Sequence, residues 1–143
     1  MSQSELVELL REAVAREMQV SIQYMWQHVL WRYPIDTNVR SELKRIAIVE
    51  MKHAEKIAER LIELGHTPPT DPSPVCIGAS PEEIADINID AEQGAIQLYT
   101  RILDLARQLN DYKTHELFQQ VLKEEEEHLR FFQQLKARAT AQQ

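Results

Sequence analysis

Six residues of this 143-residue chain have the types and spacing that metal chemistry needs: Glu17, Glu50, His53, Glu92, Glu125 and His128. Glu50 and His53 form one Glu-x-x-His, and Glu125 and His128 form another. Residues three apart on a helix are neighbours on one face, so each pair can grip a cation together. Carboxylate oxygen and imidazole nitrogen suit iron, manganese or zinc, with no thiolate to favour copper(I) or an iron–sulfur cluster. The four carboxylates balance the charge of two divalent ions. Without metal they repel, and some must take up protons. A third copy, Glu63-Leu64-Gly65-His66, ends at a glycine without a partner carboxylate at its height and is set aside.

The six residues interrupt apolar stripes of helical period. The stripes read Leu10, Ala13, Glu17, Val20, Tyr24; then Leu43, Ile46, Glu50, His53, Ile57; then Ile89, Glu92, Ile96, Tyr99, Leu103; then Phe118, Val121, Glu125, His128, Phe132. Glutamate is almost never fully buried unless paired or metal-bound. The halves of the chain also echo each other: Glu17, Tyr24, Glu50 and His53 recur 75 residues later as Glu92, Tyr99, Glu125 and His128. Tyr24 and Tyr99 can each serve as a core tyrosine bonding a carboxylate or as a redox residue. The rest of the Glu124–Glu127 run reads as a solvated face. His28, His66 and His115 read as unpartnered surface residues, and Cys76 as incidental.

The elements that must position these groups are helices. Three glycines and six prolines are too few for an all-β chain. Four helices are expected at about residues 4–31, 37–64, 81–110 and 111–139. Pro34 closes the first and Gly65 the second, while Ser80-Pro81-Glu82-Glu83 opens the third. Residues 66–80 form a connection long enough to run the length of a helix, roughly 42 Å for 28 residues. The expectation is an all-α bundle of four helices with one long crossover, in up-down-down-up order, as a single domain over residues 1–143. A net charge of −7 argues against nucleic acid. The charged residues of the first helix exclude a signal peptide, no apolar run suits a membrane span, and a lone cysteine fits a reducing, cytoplasmic setting.

With Glu17, Tyr24, Glu50-Met51-Lys52-His53-Ala54, Glu92 and Glu125-Glu126-Glu127-His128, the chain resembles the ferritin-like di-iron family, most closely its bacterioferritin branch. The resemblance spans about Leu6 to Leu135. It implies a di-iron centre bridged by Glu50 and Glu125, with Glu17 and Glu92 as terminal ligands and the two histidines completing it. It also implies oxidation of Fe(II) by dioxygen or peroxide, for storage or detoxification, with Tyr24 assisting electron transfer. Arg45 and Val49 stand where some relatives place a His and an Asp for a further inner-surface iron. The chain ends soon after the fourth helix, without the short fifth helix of 24-subunit cages. Ala95 replaces the extra glutamate of rubrerythrins, which counts against a rubrerythrin-like peroxidase.

A second apolar stripe, Met18, Ile22, Met25 and Val29 followed by Ile48 and Met51, has no use within one bundle. With Trp26 and Trp31 nearby it marks an interface, expected to be a homodimer through helices one and two and, beyond it, a larger cage. Met51 is either a filler of that interface or, by the resemblance, a ligand to haem b shared across the two-fold axis. The reading that competes with a ferroxidase is a non-catalytic metal-binding or assembly protein on the same scaffold.

Overall fold

The computed structural model describes residues 2–35 and 38–141, and the regular structure of these residues is entirely helical. The helices are α1 (Gln3–Leu30), α2 (Val39–Glu63), α3 (Pro81–Gln108) and α4 (Tyr112–Ala141). The expected start of the second helix, at Thr37, lies outside the described residues; the other ends fall within two residues of expectation. Local chemistry sets them. The Ser80 hydroxyl accepts the Glu83 N–H at 3.1 Å and Pro81 opens α3, where its missing N–H costs nothing. Gly65 adopts φ +87° after α2, letting the His66 N–H reach back to the Leu61 carbonyl at 2.9 Å. Asn110 makes the α3–α4 corner at φ 58°, and the Asp111 carboxylate then accepts the Thr114 N–H at 3.0 Å.

α1 packs on α2 and α3, and α4 on α3 and α2. The directions follow from side-chain bonds. Tyr24 of α1 reaches Glu92 of α3 while Tyr99 reaches Glu17, so α1 and α3 are antiparallel. His53 lies by Glu125 and His128 by Glu50, so α2 and α4 are antiparallel too. The connection climbs along α1: Arg11 donates to the Thr67 carbonyl, and the Ser73 N–H to Ala15 O at 3.0 Å. Higher up, the Cys76 N–H meets Gln23, Gln27 meets the Ile77 carbonyl, and the Tyr33 hydroxyl meets Ala79 O. The bundle is therefore up-down-down-up.

Two apolar clusters fill the interior. One holds Leu6, Leu10, Ile57, Leu61, Ile102 and Phe118; the other holds Leu43, Ile46, Ile84, Phe132 and Leu135. Burying each of these side chains stabilises the fold by roughly 1.5–3 kcal/mol, which is what can support an ionisable layer between the clusters. Two expectations need correction. Trp31 does not join the surface stripe: the chain turns extended there (ψ 118°) and carries the indole into the second cluster, 3% exposed. Ile89, Ile96 and Leu103 only flank the inward face of α3, which runs instead through Ala85, Asn88, Glu92, Ala95, Tyr99 and Ile102. The α3 phase expected from sequence was thus rotated slightly about Glu92 and Tyr99.

Candidate metal centre

Glu17, Glu50, His53, Glu92, Glu125 and His128 meet at mid-bundle, none more than 2% exposed. Their ligand atoms form two groups, Glu17, Glu50, His53, Glu125 and Glu50, Glu92, Glu125, His128, each within 4.8 Å. Glu50 and Glu125 belong to both groups. Each half is thus one outer glutamate, one histidine and a share of two central carboxylates.

Hydrogen bonds hold the outer carboxylates by one oxygen only. Tyr24 donates to Glu92 Oε1 at 2.7 Å and Tyr99 donates to Glu17 Oε1. The second oxygen of each carboxylate has no hydrogen-bond partner, nor have both oxygens of Glu50, Glu125 Oε1, and Nδ1 of His53 and His128. His53 Nδ1 lies 3.1 Å from Glu50 and 3.4 Å from Glu125; His128 Nδ1 lies 3.5 Å and 3.3 Å from the same two. None of these contacts is aligned as a hydrogen bond. Buried polar atoms are nearly always satisfied, so a convergent set of orphans needs an explanation. Cations between them supply it, and the all-oxygen-and-nitrogen donor set suits iron, manganese or zinc.

The electrostatics say the same. Burial, then the charge of Glu125, pushes the Glu17 carboxyl up to about 7. Burial, then Glu125 and Glu50, holds Glu92 well above the carboxylate range. Burial and repulsion by Glu50 raise Glu125, while the histidines beside Glu50 hold its carboxyl below the usual carboxylate value against burial and the charge of Glu17. Burial opposes charge on both imidazoles, yet the surrounding carboxylates win. His53 is raised and His128 rises to about 9. Burial and the adjoining glutamates keep both tyrosines protonated, as their donor role requires.

Glu63 bonds Arg60 and Lys113, and His66 is exposed, so the third Glu-x-x-His lies away from the centre. His28 is not unpartnered: its Nδ1 is 2.6 Å from the Arg40 carbonyl. Glu126 and Glu127 are exposed as expected, but Glu124 is not merely solvated, since its Oε1 lies 3.4 Å from His53 Nε2. A buried amide cluster, not evident from the apolar periodicity, lies beside Tyr24. Asn88 Oδ1 accepts from Gln23 at 3.0 Å and Gln27 at 3.1 Å, and its Nδ2 donates to Gln27 at 2.8 Å. The signal for it was Gln23-x-x-x-Gln27, an i, i+4 pair of amides beside Tyr24.

Comparison with known proteins agrees with this architecture. The family model for the ferritin-like domain matches residues 7–139. The bacterioferritin of Desulfovibrio desulfuricans is 33% identical over 137 residues, covering 92% of this chain and 74% of that protein. That of Rhodobacter capsulatus is 28% identical over 134 residues, covering 91% and 81%. A solved structure of the Desulfovibrio desulfuricans protein, describing its diiron site in different catalytic states, superposes with a TM-score of 0.86. It is 32% identical and covers 94% of this chain and 79% of that one. By its fold, its sequence and the length of the match, this chain belongs to the ferritin-like family.

Proposed function

We propose that the chain is a bacterioferritin-like ferroxidase, a single di-iron domain that oxidises Fe(II) to Fe(III) with dioxygen or peroxide. The observation that carries this reading is the set of orphaned donor atoms in two groups sharing Glu50 and Glu125. Glu50 and Glu125 would bridge two iron ions, Glu17 and His53 would complete one half, and Glu92 and His128 the other. Iron bound there supplies one-electron redox chemistry. The protein's own part is to hold the carboxylates by Tyr24 and Tyr99, exclude water with two apolar clusters, and release the protons that the metal-free cluster stores. Tyr24, one hydrogen bond from Glu92, is the residue through which an electron would pass. Storage or detoxification of iron in the cytoplasm is the role this chemistry serves.

Ala95, buried three residues beyond Glu92, offers no ligand for a rubrerythrin-like centre. Anaerobic titration with Fe(II) should saturate at two ions per chain, and admitting dioxygen should then consume it. Saturation at one ion or none rejects the site. Two ions without consumption of either oxidant leaves a passive metal-binding protein. Glu50→Ala or Glu125→Ala should abolish oxidation more completely than Glu17→Ala, because a bridging carboxylate serves both ions.

The α1–α2 face extends the same reading to assembly. Ile22, Met25, Trp26, Ala47, Ile48 and Met51 line an apolar groove of about 260 Å³. Trp26 is 52% exposed and Met51 56%. A second copy across a two-fold axis would cover this face and start a larger cage, and Met51 of each copy would be the residue that holds a haem b there. Light scattering should find at least a dimer at micromolar concentration. Haem reconstitution should give a Soret band that Met51→Leu alters. A monomer, or no band, removes that part of the proposal alone.

A further inference from the structure

The two halves of the centre have different surroundings. His53 turns Nδ1 toward the carboxylate cluster, and its Nε2, also buried and without an aligned hydrogen bond, points the other way. There it meets Glu124 Oε1 at 3.4 Å. Glu124 belongs to the turn of α4 that carries Glu125, and its side chain is 27% exposed, so one end touches the centre and the other reaches solvent. His128 likewise turns Nδ1 inward, but among the described residues no carboxylate lies within 4 Å of its Nε2. The internal echo accounts for this. The position 75 residues before Glu124 is Val49, next to Glu50 as Glu124 is next to Glu125. One half of the repeat has a carboxylate behind the opposite histidine, and the corresponding position of the other half is a valine.

A histidine that ligates through one nitrogen is oriented by what its other N–H donates to, and a carboxylate partner also makes the ring a stronger donor. We propose that Glu124 is a positioning residue for His53 and that its lack of a counterpart at Val49 makes the two metal positions unequal. The position shared by Glu17 and His53 fills first and more tightly. Glu124 accepts the Nε2–H of the neutral ring, which fixes the tautomer with Nδ1 free for the cation. The ring of His128 has no such anchor. This inference rests on the di-metal reading above, and the test separates the two.

The test is an anaerobic Co(II) titration against a competing chelator, read by d–d absorption, on the full chain. Wild type should take two ions in steps separated by about 10–100-fold, the range over which such outer partners act. Glu124→Ala should weaken the first step by a similar factor and leave the second unmoved. Glu124→Gln, which keeps an acceptor but not the charge, should fall between. Val49→Glu, which installs the missing carboxylate behind His128, should tighten the second step. In the Zn(II)-loaded protein, nitrogen NMR should find the proton of His53 on Nε2.

Two ions bound with both steps unchanged in Glu124→Ala would overturn this inference alone. Equal weakening of both steps would overturn it too, since that is the mark of a distant charge. Fewer than two ions in the wild type would overturn the di-metal reading and this inference with it.

Discussion

At the scale of single residues, Tyr24 and Tyr99 do the same mechanical work. Each phenol donates to one oxygen of an outer glutamate, and each ring lies against a phenylalanine: Phe132 at 5.1 Å for Tyr24, Phe118 at 5.2 Å for Tyr99. Removing either hydroxyl leaves a buried carboxylate oxygen unsatisfied, which costs about 1–3 kcal/mol. Tyr24→Phe and Tyr99→Phe should therefore lower the unfolding free energy of the metal-free protein by equal amounts in urea. If Tyr24 also carries electrons, the two variants part company in kinetics, with Fe(II) oxidation slower in Tyr24→Phe than in Tyr99→Phe at matched metal occupancy. Equal slowing would assign both tyrosines to holding alone.

At the scale of elements, the amides of Gln23, Gln27 and Asn88 tie α1, α3 and the crossover into one unit. Asn88 bonds both glutamines, Gln23 accepts the Cys76 N–H at 3.1 Å, and Gln27 donates to the Ile77 carbonyl at 3.0 Å. Asn88→Ala should cost about 2–3 kcal/mol, since it strands buried amide groups on two glutamines. It should also speed hydrogen exchange at the Cys76 amide. A loss under about 0.5 kcal/mol with unchanged exchange would show the cluster to be dispensable. This network also marks the limit of what is legible in the sequence. The carboxylates and histidines stand out because Leu, Ile and Phe fix the phase of each helix, and a charge on that phase is conspicuous. Gln23 and Asn88 lie on the same faces, but an amide is unremarkable at a helix surface and its burial shows only when its partners are seen. Glu124 lies one residue, roughly 100° of helix turn, off the stripe, and reaches His53 sideways from the neighbouring helix. Periodicity along one helix carries no record of that approach. Trp31 escapes periodicity for a similar reason: helical phase has no meaning past Leu30, where the helix ends.

At the scale of the whole molecule, the bundle encloses a proton store when metal is absent, and stability must then depend on pH. Glu17 has its folded value raised from an ordinary 4.5 to about 7, first by burial and then by Glu125. Above pH 4.5 the folded chain keeps a proton that the unfolded chain has lost, so stability falls as pH rises through 7. Glu92 acts in the same direction. His128, raised by its carboxylates from 6.5 to about 9, gives stability that is complete below pH 6.5 and lost as pH rises through 9; His53 follows it. Glu50 opposes them, its contribution present above its ordinary value and lost as pH falls. It is outnumbered. A shift the size of that of Glu17 corresponds to about 3 kcal/mol, or roughly 10 °C in melting temperature for a chain of this length. The metal-free protein should therefore melt at lower temperature at pH 8 than at pH 5. Divalent ions compete with the same protons, so Zn(II) should stabilise more at pH 8 than at pH 5 and flatten or reverse the profile. Scanning calorimetry from pH 5 to 8, with and without Zn(II), reads both effects. A metal-free melting temperature that rises over this range would mean that the six side chains do not share their charge as their geometry requires.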